Sequence, residues 1–166
     1  MSLFNFENFT KIILSFPNVI ISSLIMYFGL VDFKNMPVKA YWQPPDYIFG
    51  IVWPILYILF GIINLKVLDS NKHGYYVKEN FILDSISEAL VQNIWVVVTG
   101  LNYLPILYRY SIGSVILLLL NYISFERRNY MKKIDKSILI LYLPYTFWIL
   151  FALILNLQIV HKLVTT

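Results

Sequence analysis

Five runs free of Asp, Glu, Lys and Arg constrain this chain more than anything else in it: Ile12–Val31, Tyr47–Leu65, Ala89–Tyr108, Tyr110–Phe125 and Ser137–Val160. A helix of about 20 mainly apolar residues crosses the roughly 30 Å hydrocarbon core of a bilayer. Hydrophobic residues make up 59% of the 166 and charged residues 13%, where a soluble domain averages about 25% charged. The pattern predicts an all-α integral membrane protein, a five-transmembrane-helix bundle in one domain over residues 1–166. The helices are expected at about 11–31, 46–68, 81–103, 107–125 and 137–160. A cleaved signal peptide is the competing reading of the first run. Against it, Glu7 and Lys11 are the sole charges ahead of the run and no Ala-x-Ala-like cleavage site is present.

Between the runs, Asp32–Pro45 carries Lys34, Pro37, Lys39 and the pair Pro44-Pro45, and reads as a long loop. Proline fixes φ and lacks an N–H donor, so the pair suits a helix start, and Asp46 adds negative charge at the positive end of the dipole. Pro54, inside the second helix, is expected to kink it. Polar loops follow at Asp69–Asn80 and, strongly basic, at Glu126–Lys136, with a tight turn at Pro105 between them.

Helical spacing places Asp46, Gly50, Trp53, Tyr57, Gly61 and Asn64 on one stripe of the second helix. Such a stripe suits either close helix packing or the wall of a ligand cavity. On the third helix, Asp84, Glu88, Gln92, Trp95, Thr99 and Asn102 share a polar face that cannot be turned to lipid. A charge at the bilayer centre costs roughly 2.5–3.5 kcal/mol on insertion scales, so Glu88 should face the bundle interior, water or a partner, while Asp84 reaches the interface. The fourth helix has a featureless centre, Val115–Leu120, expected to face lipid and to offer no chemistry. The fifth repeats the logic of the second, with Tyr145, Trp148, Ala152 and Asn156 on one face after Pro144.

The net charge of +4 is scattered between apolar runs, which reads as a topology signal and not as a nucleic-acid surface. Lys11, Lys66, Lys72, Lys78, Arg127, Arg128, Lys132, Lys133 and Lys136 fall on the N-terminal side. Lys34, Lys39, Arg109 and Lys162 fall on the other, so the positive-inside rule favours a cytoplasmic N-terminus. With no Cys, and with His73 and His161 standing alone, no metal site is expected, and no phosphate loop, nucleophile elbow or His-Glu-x-x-His occurs. No cofactor is expected either. Cholesterol-type patterns at Leu101-Asn102-Tyr103…Arg109 and Leu120-Asn121-Tyr122…Arg127 are of the kind chance supplies in a Tyr- and Leu-rich chain.

Two motifs are more specific: Trp42-x-Pro44-Pro45-x-x-x-Phe49-Gly50-x-x-Trp53-x-x-Leu56-Tyr57-x-x-x-Gly61, and Pro144-Tyr145-x-x-Trp148-x-x-Phe151-Ala152-x-x-Leu155-Asn156. In these the chain resembles the translocator protein family, also called tryptophan-rich sensory proteins or peripheral benzodiazepine receptors. The resemblance implies a five-helix bundle, often a homodimer, whose pocket is capped by the loop joining the first two helices. It implies binding of porphyrin-type tetrapyrroles such as protoporphyrin IX, of sterols and of benzodiazepine-type drugs, and in some members light-dependent porphyrin breakdown. Trp53 and Trp148 correspond to the paired pocket tryptophans implicated in that breakdown, the residues that would be catalytic. Phe49, Tyr57, Trp95 and Ala152 correspond to pocket lining and Trp42 to the lid. Gly50, Glu88, Gln92, Tyr145 and Asn156 complete the expected ligand-binding set, and Lys39 is a candidate to meet a propionate. The chain departs from the family pattern at Phe33 and Ala40 in the loop and around Gln92 and Asn93 in the third helix. It departs again at Leu157 and His161, where the Tyr and Arg of the sterol motif are absent.

Overall fold

The computed structural model describes residues 6–31 and 38–165, which form six helices and no strand. They are α1 (Phe6–Ser15), α2 (Pro17–Tyr27), α3 (Asp46–Asp69), α4 (Tyr75–Gly100), α5 (Ile106–Ile134) and α6 (Lys136–Thr165). Phe33, Lys34 and Pro37 of the first loop lie outside the described residues, as does the side chain of Glu7. α3 to α6 are each long and apolar enough to cross a membrane; α1 and α2 add a fifth span when the bent pair is taken as one.

The expected first helix over 11–31 is instead two helices, bent by 72° at Phe16. Pro17 stands at the first position of α2, where its missing N–H costs nothing; Ile13 O, which that N–H would have met in an unbroken helix, accepts from the Phe16 N–H at 3.3 Å instead. Packing fixes the angle. The Phe16 ring fills the notch at Gly61, where a β-carbon would fall 2.0 Å from Phe16 Cε1. Asn64 Nδ2 donates to the Ser15 carbonyl at 2.8 Å, satisfying an acceptor released at the end of α1. At its other end α2 closes in a Schellman arrangement: Gly29 takes φ 61°, its N–H donates to Met26 O at 3.1 Å, and the Leu30 N–H donates to Ile25 O at 3.1 Å.

α3 starts at Asp46 behind Pro45, as the proline pair predicts, and runs through Pro54 without a break. α4 begins six residues before the expected Phe81, because nothing between Gly74 and Phe81 interrupts a helix and its polar side chains stand at the exposed end. α5 runs on through the expected basic loop to Ile134. Its centre does not face lipid uniformly: Val115, Leu118 and Leu119 are exposed, while Leu117 and Leu120 are fully buried.

α5 packs most extensively against α6 and then against α4, while α3 leans on α6 and α1. One core, around Phe60, Phe81, Leu117, Tyr142 and Ile149, fills the half of the bundle towards the ends of α3 and α5 and the start of α6. A smaller one joins Ala40, Tyr110, Leu155 and Ile159 at the opposite end. Many large apolar side chains point outward, among them Ile55, Ile58, Leu118 and Leu150, which is unfavourable against water and expected against lipid.

Candidate functional site

At the end of the smaller core, a cavity of about 510 Å³ opens between α2, α3, α4 and α6, within the range of small-molecule sites. Its wall on α3 is Asp46, Phe49, Gly50, Trp53, Pro54 and Tyr57, six positions spaced by three, one, three, one and three residues along one side of the helix. α4 supplies Trp95 and Thr99, and α6 supplies Ala152 and Asn156. Room for the cavity comes from small residues. A β-carbon built on Gly50 meets nothing within 4 Å, so that position opens directly into space. Gly113 acts differently: α5 approaches so closely there that a β-carbon would fall 2.9 Å from Thr99 Cγ2 and 3.4 Å from both Trp95 Cδ1 and Asn156 Nδ2. It lets three helices converge at the cavity wall.

The tryptophans form a connected group. The Trp53 ring centroid lies 6.0 Å from that of Trp95 and 5.7 Å from that of Tyr57, and it meets Trp148 edge-on at 6.2 Å with planes at 83°, within the separations that favour tilted and T-shaped aromatic pairs. Trp148 stands behind the wall, not in it, between Phe49 at 5.5 Å and Phe151 at 5.3 Å. Trp42 is 51% exposed and lies 5.9 Å from Phe151, outside the cavity lining.

Polar groups are few and mostly engaged. Gln92 Nε2 donates to the Tyr57 hydroxyl at 2.6 Å, and the Tyr145 hydroxyl donates to Gln92 Oε1 at 2.9 Å. Gln92 and Tyr145 therefore form a layer behind Tyr57 and do not line the cavity. Asn156 Nδ2 donates to the Tyr110 carbonyl at 2.6 Å and to Ser114 Oγ at 2.8 Å; its Oδ1 makes no hydrogen bond among the described residues. At the mouth, Lys39 pairs with Asp46, and Gln43 Nε2 stands 3.4 Å from the same carboxylate.

Glu88 is placed elsewhere. It is fully buried in the large core, accepts from Arg127 Nη1 at 2.6 Å and from the Tyr142 hydroxyl, and does not reach the cavity. The Arg127 guanidinium lies 4.5 Å from the Phe60 ring and 4.8 Å from that of Phe81, and its Nη2 donates to Asn64 Oδ1 at 3.2 Å. Ser124 Oγ stands 2.9 Å from the Tyr142 hydroxyl. The pair thus ties α3, α4, α5 and α6 together. Arg127 is no loop charge, and the sequence pattern that could have said so is the spacing of Leu117, Leu120, Ser124, Arg127 and Met131, all buried along one face of α5. Arg109 is likewise buried, and its Nε donates to the Thr99 carbonyl at 3.0 Å, closing the C-terminus of α4. Both arginines of the cholesterol-type patterns are thereby engaged inside the protein.

Of the twelve residues expected to bind ligand, Phe49, Gly50, Trp53, Tyr57, Trp95, Ala152 and Asn156 come together around the cavity. Trp42, Glu88, Gln92, Tyr145 and Trp148 do not line it. Sequence reasoning missed the contribution of α2, whose Ser22, Ile25 and Met26 complete the wall, and that of Tyr110 on α5. Tyr110 follows directly on Arg109 at the start of α5, outside the apolar centre of the helix, and no motif marks it.

Comparison with curated proteins gives no match. The model of the TspO/MBR family matches residues 15–161, from the end of α1 to the last turns of α6, and the protein, an integral multi-pass membrane protein, belongs to that family.

Proposed function

We propose that the protein is a membrane receptor or carrier for a flat, amphipathic tetrapyrrole of the porphyrin type, held in the cavity between α2, α3, α4 and α6. The observation that carries this reading is the combination of a 510 Å³ space with Phe49, Trp53, Tyr57 and Trp95 around it and with Gly50 and Ala152 where bulk would block it. Aromatic faces stack on a macrocycle, and a site of few polar groups suits its apolar body. Propionate groups would stay at the mouth, where Lys39 exchanges Asp46 for a ligand carboxylate. Sterol binding through the end of α6 is not part of this proposal, since Leu157 and His161 lack the groups that motif needs. Benzodiazepine-type drugs fit the same apolar cavity. The assembly we propose is a homodimer of five-span bundles, with α1 and α2 together as the first span.

Titrating protoporphyrin IX into the purified protein is expected to quench Trp emission saturably and to raise the melting temperature, because a ligand that binds the folded state stabilises it by mass action. Linear quenching with no thermal shift would overturn the proposal in favour of a scaffold whose aromatic stripes only pack helices.

The edge contact of Trp53 with Trp148 favours a second reading, a light-dependent porphyrin-degrading activity in which these two side chains exchange electrons or protons with the excited ligand. Illuminated complexes of Trp53→Phe and Trp148→Phe should then lose porphyrin absorbance more slowly than the parent protein. Equal decay rates in all three would reject a role for either residue.

A further inference from the structure

The end of the molecule away from the cavity gathers more positive charge than the fold pairs. Lys66 stands on the last turn of α3, Lys72 in the turn to α4, Lys132 and Lys133 on the last turn of α5, and Lys136 opens α6. All five are exposed, and none makes an ion pair among the described residues. Neighbouring charges are engaged instead. Lys11 pairs with Asp69, Lys78 Nζ donates to the Leu68 carbonyl at 2.7 Å, and Arg128 lies over the Phe125 ring at 5.0 Å. The Asp135 carboxylate accepts the Ser137 N–H at 2.7 Å and also interacts electrostatically with Lys66 and Lys72. Among the described residues, Glu79, Asp84 and Glu126 are the remaining exposed acids of this half, so cations stay in excess.

A second observation points to the same partner. α1 lies at this end, held by Lys11 to the end of α3, and is turned 72° from α2. α1 runs beside the last turns of α3, with Ser15 at Asn64 and Lys11 at Asp69, and it turns Phe9, Ile12 and Ile13 outward at 49%, 54% and 41% exposure. Apolar side chains turned outward next to a basic cluster suit acyl chains just below charged headgroups. α5, at 29 residues, is about 43 Å long. It outruns the roughly 30 Å hydrocarbon core and carries Lys132 and Lys133 to headgroup level.

We infer that this basic end, together with α1, is a binding surface for anionic phospholipid headgroups. Lipid phosphates meet Lys66, Lys72, Lys132, Lys133 and Lys136, while α1 sets Phe9, Ile12 and Ile13 among the upper acyl carbons. Clustered lysines next to membrane helices attract anionic lipid in proportion to their number. The surface also reaches the cavity mechanically, because α1 continues through Phe16, locked at Gly61, into α2, which supplies Ser22, Ile25 and Met26 to the cavity wall.

The test uses the full chain in neutral detergent, titrated in parallel with phosphatidylglycerol and with phosphatidylcholine, reading the melting temperature and the lipids retained in native mass spectra. Phosphatidylglycerol is expected to stabilise saturably and to be retained, and phosphatidylcholine to do neither. The variant Lys132→Gln/Lys133→Gln/Lys136→Gln should need on the order of a hundredfold more phosphatidylglycerol for the same shift. Lys66→Gln/Lys72→Gln, altering separate elements, should lose less and provides the reading if the triple variant does not fold. Equal responses to the two lipids, or variants that respond like the parent chain, would overturn the inference and leave the lysines as topology signals alone. The same shift produced by inorganic phosphate would overturn it in favour of a free-anion site.

Discussion

Arg127 and Glu88 show how much one buried charge can demand of its surroundings. Each is nearly or fully excluded from solvent, and the guanidinium is flanked by two aromatic rings and an amide. Removing one partner of such a pair leaves an uncompensated buried charge, a loss of about 3–5 kcal/mol, whereas replacing both by apolar residues of similar size is often close to neutral. Arg127→Ala should therefore melt far below the parent protein in detergent, and Glu88→Leu/Arg127→Met should recover most of the difference; a double variant no better than the single would show that the pair does not act as a unit. The sequence made one half of this legible. A carboxylate amid Ala89, Leu90 and Val91 has to find a partner, but the partner was hidden because Arg127 follows Glu126 and precedes Arg128, a context that reads as a loop until the helix is seen to continue through it.

At the scale of elements, Asp135 joins two helices at once. It ends α5, and its Oδ1 accepts the Ser137 N–H at 2.7 Å in the first turn of α6. The hydrogen bonds from the Ser137 backbone and side chain hold its carboxyl below the ordinary aspartate value of 3.8. Because the folded-state value is depressed, the stabilisation is present above the unfolded value and is lost as pH falls through the folded one. Asp135→Asn should thus melt lower than the parent at neutral pH, with the difference closing in acid below the range where an aspartate ionises; a gap constant with pH would assign the effect to the side chain's shape. Helix starts marked by Pro45 and Pro105 were legible because proline acts locally. The break at Phe16 was not, since Ile12–Val31 is uncharged throughout and Pro17 is as compatible with a kinked helix as with a new one. What decides it is Gly61 and Asn64, far away in sequence.

For the whole molecule, the cavity was half legible. The three- and four-residue spacing along α3 put Asp46, Gly50, Trp53 and Tyr57 on the face that lines the cavity, because one helix face is a local property, while Phe49 was named by the family motif and Gly61 and Asn64 of the same stripe pack against Phe16 and Ser15. Whether Gln92, Tyr145 and Trp148 stand in the wall or behind it depends on the rotation of α4 and α6, which the sequence does not state. Gly50 provides the sharpest test of the space itself. Gly50→Ala should stabilise by roughly 0.5–1 kcal/mol, as alanine does in a helix interior, since the added carbon meets no neighbour. Gly50→Phe should fold and melt normally yet lose saturable porphyrin quenching; quenching that survives would place the ligand elsewhere. The bend at Phe16 also sets the first span apart from the other four. α1 and α2 have 10 and 11 residues, about 15 and 16 Å of helix, while α3 to α6 have 24 to 30. Neither short helix alone matches a hydrocarbon core of roughly 30 Å, so the first span crosses only as a pair whose reach depends on the angle between its halves. A change in bilayer thickness is therefore expected to act first on that angle and, through α2, on the cavity wall.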